Sequence, residues 1–161
     1  MAIYRTVHMS FWTDPKVDDD FTPEDKYFYL YLLTNPHTNI CGCYEISLKQ
    51  MSQETGYNTD TVIRLIKRME EVHKVVKHSA SNKEMLIVNW SKYNWAVSDK
   101  LIKAVESTAA HIKTSSFKNF VYEQIELKRN EKKERTKESA SFLRGGNTLP
   151  WDLCKSHSVN P

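Results

Sequence analysis

The residues best placed to do chemistry lie between Thr59 and Lys83, and that chemistry is recognition of a polyanion rather than bond making. Thr59, Thr61, Arg64, Lys67 and Arg68 recur at spacings that gather hydroxyls and cations on one side of a helix. Hydroxyl and guanidinium groups donate to phosphate oxygens and to base edges, while a lysine meets a phosphate as a point charge. Lys74, Lys77, His78 and Lys83 follow and would add phosphate contacts, which position a protein without reading sequence. Asp60 and the Glu70–Glu71 pair oppose this, because carboxylates repel phosphate. A helix with two Arg and one Lys is also how an ordinary solvated helix looks. At this point two partners stay open for the face: duplex DNA, or another protein.

Other chemistry is not written here. There is no Gly-rich phosphate loop, no His-Glu-x-x-His pair and no Gly-x-Ser-x-Gly elbow, so neither enzyme nor cofactor is expected. Cys41-Gly42-Cys43 suggests metal, but structural zinc uses a longer spacer and a second ligand pair. Cys154 stands alone and His37 is unsupported, so no metal is expected. The small residues instead suit a strand, Ile40 to Ile46, packed closely and paired with a hairpin. Asp18-Asp19-Asp20 point in different directions and read as a solvated loop.

The elements that must position the basic residues follow from local rules. Ser47 and Gln50 form a capping box, with Leu48 and Met51 on one face and Thr55 extending it. Gly56 supplies the positive φ of a helix end, Tyr57 packs into the turn, and Asn58 or Thr59 caps the next helix. Val62, Leu65, Ile66 and Met69 then follow the spacing of a buried stripe. After Glu71 the period changes. Lys74–His78 and Met85–Asn89 are β-rich runs around a polar loop, Ser79–Glu84. Upstream, Thr22 caps a helix with Pro23 in its first turn and an apolar body, Lys26–Leu33, that ends at Asn35-Pro36.

The expected fold is mainly α with a small β-wing: a winged helix-turn-helix followed by two C-terminal helices and a polar tail. Its expected units are an arm over 1–20, the winged domain over 21–97, a helical extension over 98–130 and a polar, flexible tail over 131–161. Tyr4, Val7, Phe11 and Trp12 make the arm too apolar to float free, so it either packs on its own domain or serves self-association. Trp90, Tyr93 and Trp95 fit packing against the first helix better than base stacking. Ser98 and Ser115 or Ser116 start the trailing helices, and from Lys128 to Lys137 the chain is polar on every face, a frayed or disordered stretch. Leu149–Leu153, with Trp151, reads equally as a docking peptide or a bystander.

Composition bounds the rest. A chain of 161 residues that is 40% hydrophobic supports one globular domain with extensions. No apolar run suits a membrane span, the N-terminus lacks the core of a signal peptide, and three cysteines without an export signal read as reduced thiols. A cytoplasmic place is expected. Residues 1–46 carry three Lys and Arg against seven Asp and Glu, whereas residues 47–83 carry seven against four and residues 98–161 twelve against eight. An acidic first part and basic remainder suit one nucleic-acid face and one protein face.

Several motifs, in order and spacing, resemble a known family. They are Tyr4-Arg5, Phe11–Val17, Thr22–Thr38, Thr55-Gly56-Tyr57 and Asn89–Trp95. Over about residues 3–130 the chain resembles the N-terminal domain of phage and prophage replisome organisers, DnaD-like replication initiation proteins of low-GC Gram-positive bacteria and their phages. The resemblance implies a winged helix that binds origin DNA, self-association as a homodimer or higher oligomer through Tyr4 to Trp12, and a role in bringing the helicase or its loader to the origin. It implies a DNA face at Thr59, Thr61, Arg64, Lys67 and Arg68, joined by the lysines Lys74, Lys77 and Lys83. Larger members continue into a second helical domain with no counterpart here, so a minimal, a truncated or a repurposed organiser is expected. The same fold would also serve a transcriptional regulator, or a protein-binding module that inhibits or bridges host proteins.

Overall fold

A computed structural model describes residues 4–144, with side chains through residue 141. Trp151, its neighbours and Cys154 lie outside the described residues. The order is α1 (Pro23–Thr34), β1 (Cys43–Glu45), α2 (Leu48–Thr55), α3 (Thr59–Lys67), β2 (Val76–Ser79), β3 (Glu84–Ile87), α4 (Trp90–Asn94), α5 (Asp99–Ala109) and α6 (Ser115–Arg144). The fold is mostly helical with one small antiparallel sheet of three strands, in the order β1-β3-β2. No described helix is long and apolar enough to cross a membrane.

The helix starts form as their residues dictate. Thr22 with Asp25, and Ser47 with Gln50, make full capping boxes. Gly56 closes α2 at φ 81°, the left-handed conformation that costs glycine least, and Asn58 caps α3 through the Thr61 amide at 2.8 Å. Val62, Leu65, Ile66 and Met69 are all buried, as their spacing predicts. After Lys67 the helix widens into one π turn, Arg68–Val72.

The sheet is covered on both faces. Cross-strand partners share a side, so Tyr44, Met85 and His78 look one way, while Cys43, Leu86 and Lys77 look the other. The first face meets the α1–α3 layer, where the Tyr44 hydroxyl donates to the Leu32 carbonyl at 2.6 Å. The second lies under α5 and α6, which is why every residue of β3 is buried. Cys41 and Cys43 are free, buried thiols, and burial pushes both above the ordinary thiol range. They fill space as neutral groups.

Glu84 corrects the expected polar loop. It sits in β3, buried, and its two carboxylate oxygens accept the backbone amides of Lys113 and Thr114, each at 2.8 Å. Asn82 donates to the Thr114 hydroxyl at 2.8 Å, and Lys113 pairs with Glu45. The hairpin and the α5–α6 turn are thus one unit. Glu84→Ala would orphan two amides and is expected to cost about 2 kcal/mol. Glu84→Gln, which keeps an acceptor, should lose less. Denaturant melts and hydrogen exchange at the Lys113 and Thr114 amides check this; unchanged protection in Glu84→Ala would refute it.

Two expected boundaries move. The helix does not end near residue 130 but runs on to Arg144. Its composition of Glu, Lys and Arg favours helix, and Lys128–Glu131 and Arg129–Glu126 pair one turn apart. Lys132 and Arg129 also reach Asp99 and Glu106 of α5. The arm, for its part, is divided. Phe11 is buried against Tyr29, with ring centroids 6.0 Å apart, and Val7 packs beside the core. Tyr4 and Trp12 stay 82% and 57% exposed. The arm's inner residues roof a cavity of about 540 Å³ between α1, β3 and α4.

Candidate nucleic-acid interface

α3 presents one exposed stripe: Thr59, Asp60, Ile63, Arg64 and Lys67. Its opposite side is sealed into the core, and the capped end at Asn58 with the Gly56 turn sets its angle to α2. Thr61, expected on the face, is partly buried, because its place on the helix turns it from the exposed stripe to the core edge that Arg68 shares. Arg64 is available: its side chain is 60% exposed, and among the described residues its ion-pair partner is Glu24, at 3.5 Å.

Arg68 is placed differently. Its Nε donates to Asp25 Oδ1 at 2.6 Å, and its Nη2 reaches Glu24 at 3.1 Å. Asp25 is only 1% exposed, and its second oxygen accepts from the Thr22 hydroxyl at 2.9 Å and lies 3.3 Å from His73 Nε2. The buried His73 ring packs tilted on Phe21, centroids 4.2 Å apart. Burial alone would push the Asp25 carboxyl up. The hydrogen bonds from Thr22 and Arg68 and the Arg68 charge outweigh it and hold the group below the usual carboxylate range. Arg68 thus neutralises a buried acid of α1, and turning away to contact DNA would strip that acid of its guanidinium and leave it to Thr22 and His73.

The expected phosphate lysines divide as well. Lys77 lies on the far sheet face, its ammonium 5.3 Å from the Phe120 ring centroid. Lys74 and Lys83 are exposed, both at left-handed φ, 55° and 54°, in the connections that flank β2. Lys83 also anchors the hairpin turn, its carbonyl accepting from the Ile46 amide at 2.7 Å. The surface cations on the α3 side of the hairpin are therefore few.

Trp90 and Trp95 are buried, and both indole N–H groups donate to the Ile40 carbonyl, at 3.0 and 2.8 Å. They pack, as their setting predicts, and are not available to stack on bases. Sequence reasoning passed over Ile63, Asp25, His73 and Glu84. For Ile63 the signal was present, since it falls one position off the stripe Val62, Leu65, Ile66, Met69. For the others it was not, because their partners lie far along the chain. Tyr27 and Tyr57, edge to face with centroids 5.8 Å apart, complete the surface beside Arg64. Comparison with family models, curated proteins and solved structures gives no match, so the chain's family is not shown by them.

Proposed function

We propose that this chain is a non-enzymatic, duplex-DNA-binding protein of replication initiation. In this reading it is a winged helix-turn-helix whose α3 enters the major groove, it self-associates, and it helps bring the helicase-loading machinery to an origin in the cytoplasm. The observation that carries DNA binding is the set Thr59, Arg64 and Lys67: exposed, on one side of α3, and with no side-chain hydrogen bond or ion pair among the described residues beyond the loose Arg64–Glu24 pair; Asp60 beside them counts against phosphate. The helix pair joined at Gly56 and the antiparallel hairpin that follows support the winged-helix reading. The replication role rests on the motif resemblance to replisome organisers. Self-association draws on the exposed part of the arm, Tyr4, Met9 and Trp12, while Val7 and Phe11 anchor it.

The test separates readers from anchors. Arg64→Ala with Lys67→Ala should weaken binding to a selected duplex by about 1–3 kcal/mol for each side chain that reads a base, and by a flatter, salt-dependent amount for one that meets phosphate. Both variants should melt like the parent. Unchanged affinity at moderate salt would overturn the interface. Footprinting inside the protein's own coding region fits an organiser, protection of a promoter would favour a regulator, and failure to bind any duplex would favour a module for protein contact.

A further inference from the structure

We propose that Ile63 reads a thymine, meeting its C5-methyl group in the major groove; the inference rests on the DNA-binding reading above. α3 buries its apolar stripe almost completely, yet Ile63 stands 47% exposed outside it. Packing does not ask for this residue, and an exposed β-branched side chain adds nothing to helix propensity. Its position is specific. Thr59, Ile63 and Lys67 form one line along the helix, between the buried line Val62–Ile66 and the exposed Asp60–Arg64, so Ile63 stands midway along the exposed face on the side that borders the core.

The surroundings select the ligand. Phosphates satisfy Arg64 and Lys67 and water satisfies Asp60, but neither offers a sec-butyl side chain anything. Among the groups on base edges in the major groove, the thymine methyl is the apolar one. A charged rim beside one aliphatic side chain matches a base edge flanked by phosphates. A protein-docking face would gather exposed apolar neighbours, whereas the exposed neighbours of Ile63 on α3 are Thr59, Asp60, Arg64 and Lys67, and the Tyr27–Tyr57 pair lies on the Arg64 side of the face. With Arg64 beside it able to reach a guanine, the pair would read adjacent bases.

A duplex is first selected from random DNA with the full chain. Each thymine in the protected site is then replaced singly by deoxyuridine, which removes only the methyl group, and affinities are measured for the parent, Ile63→Val and Ile63→Ala. At one position the parent should lose about fourfold, the worth of one methyl group taken from water. Ile63→Ala should bind the thymine duplex more weakly and show no further loss at that position, with Ile63→Val between them. All three should share one melting temperature, since the side chain is outside the core. If the parent ignores every uracil, or Ile63→Ala keeps the parent's sensitivity, the thymine reading is overturned while DNA binding stands. If the parent binds no duplex, both readings fall together.

Discussion

Arg68→Ala is expected to lower folding stability by about 3–5 kcal/mol with no DNA present. The substitution removes the cation that faces Asp25, whose carboxylate is buried and cannot turn to water. Breaking a buried pair by deleting one partner is expensive because the survivor keeps its desolvation cost. Arg68 itself is 27% exposed, so the lower end of the range is the expected value. Urea melts read the effect directly. The acid limb gives a second reading. The folded chain holds Asp25 ionised at pH values where the unfolded chain begins to protonate it. Its contribution is therefore fully present above about pH 4 and is lost as pH falls through the lowered folded value. In Arg68→Ala that slope should flatten, because burial then works against ionisation. If Arg68→Ala melts like the parent but loses DNA affinity, Arg68 is a reader and the ion pair is incidental. A binding defect in this variant carries no meaning until its stability is known.

Gly42→Ala is expected to be as severe, at about 3–5 kcal/mol, from two sources that add. Gly42 has φ 77°, where an L side chain is strained, and an added Cβ would lie 2.2 Å from Trp90 Cγ. Trp90 cannot move aside: it is buried, and its indole N–H is bound to the Ile40 carbonyl. Against a typical domain stability of about 5–15 kcal/mol, such a loss removes roughly a fifth of the margin or more. Gly56→Ala is the control. Its φ is 81°, but nothing stands within 4 Å of the added Cβ, so only the backbone strain remains, about 1 kcal/mol. Thermal melts of the two variants separate strain from close approach. Equal losses would mean that Trp90 yields.

The two substitutions also mark how far each residue could be read in advance. The small residues at Cys41–Cys43 announce close packing, and Gly42 does lie against Trp90, but the strand expected over Ile40 to Ile46 is only Cys43–Glu45, because Gly42 turns the chain at φ 77°. Arg68 shares a helical face with Arg64 in the sequence, and nothing local tells them apart. The distinction comes from α1, whose Asp25 lies 43 positions away and points at one guanidinium and not the other. Lys77 likewise reads as a hairpin cation until α6 lays Phe120 beneath it. The stretch from Lys128 reads as a frayed helix or as disorder because residues polar on every face offer no periodicity; charge pairs within the helix and to α5 accompany its continuation to Arg144.

By itself the sequence determined the starts of α1, α2, α3, α5 and α6, the ends of α1 and α2, the buried stripe of α3 and the approximate places of the three strands. Capping boxes, a left-handed glycine and apolar periodicity act over a single turn or a few pleats, so neighbouring residues contain the whole cause. Only the tertiary structure decided which polar residues are free. It consumed Arg68 on a buried carboxylate and Glu84 on two amides, covered the second sheet face with α5 and α6, and left Ile63, Arg64 and Lys67 in solvent. The physical reason is desolvation: a charged group taken from water must find a partner, and the partner is set by which surfaces the packed layers bring together, not by spacing along the chain.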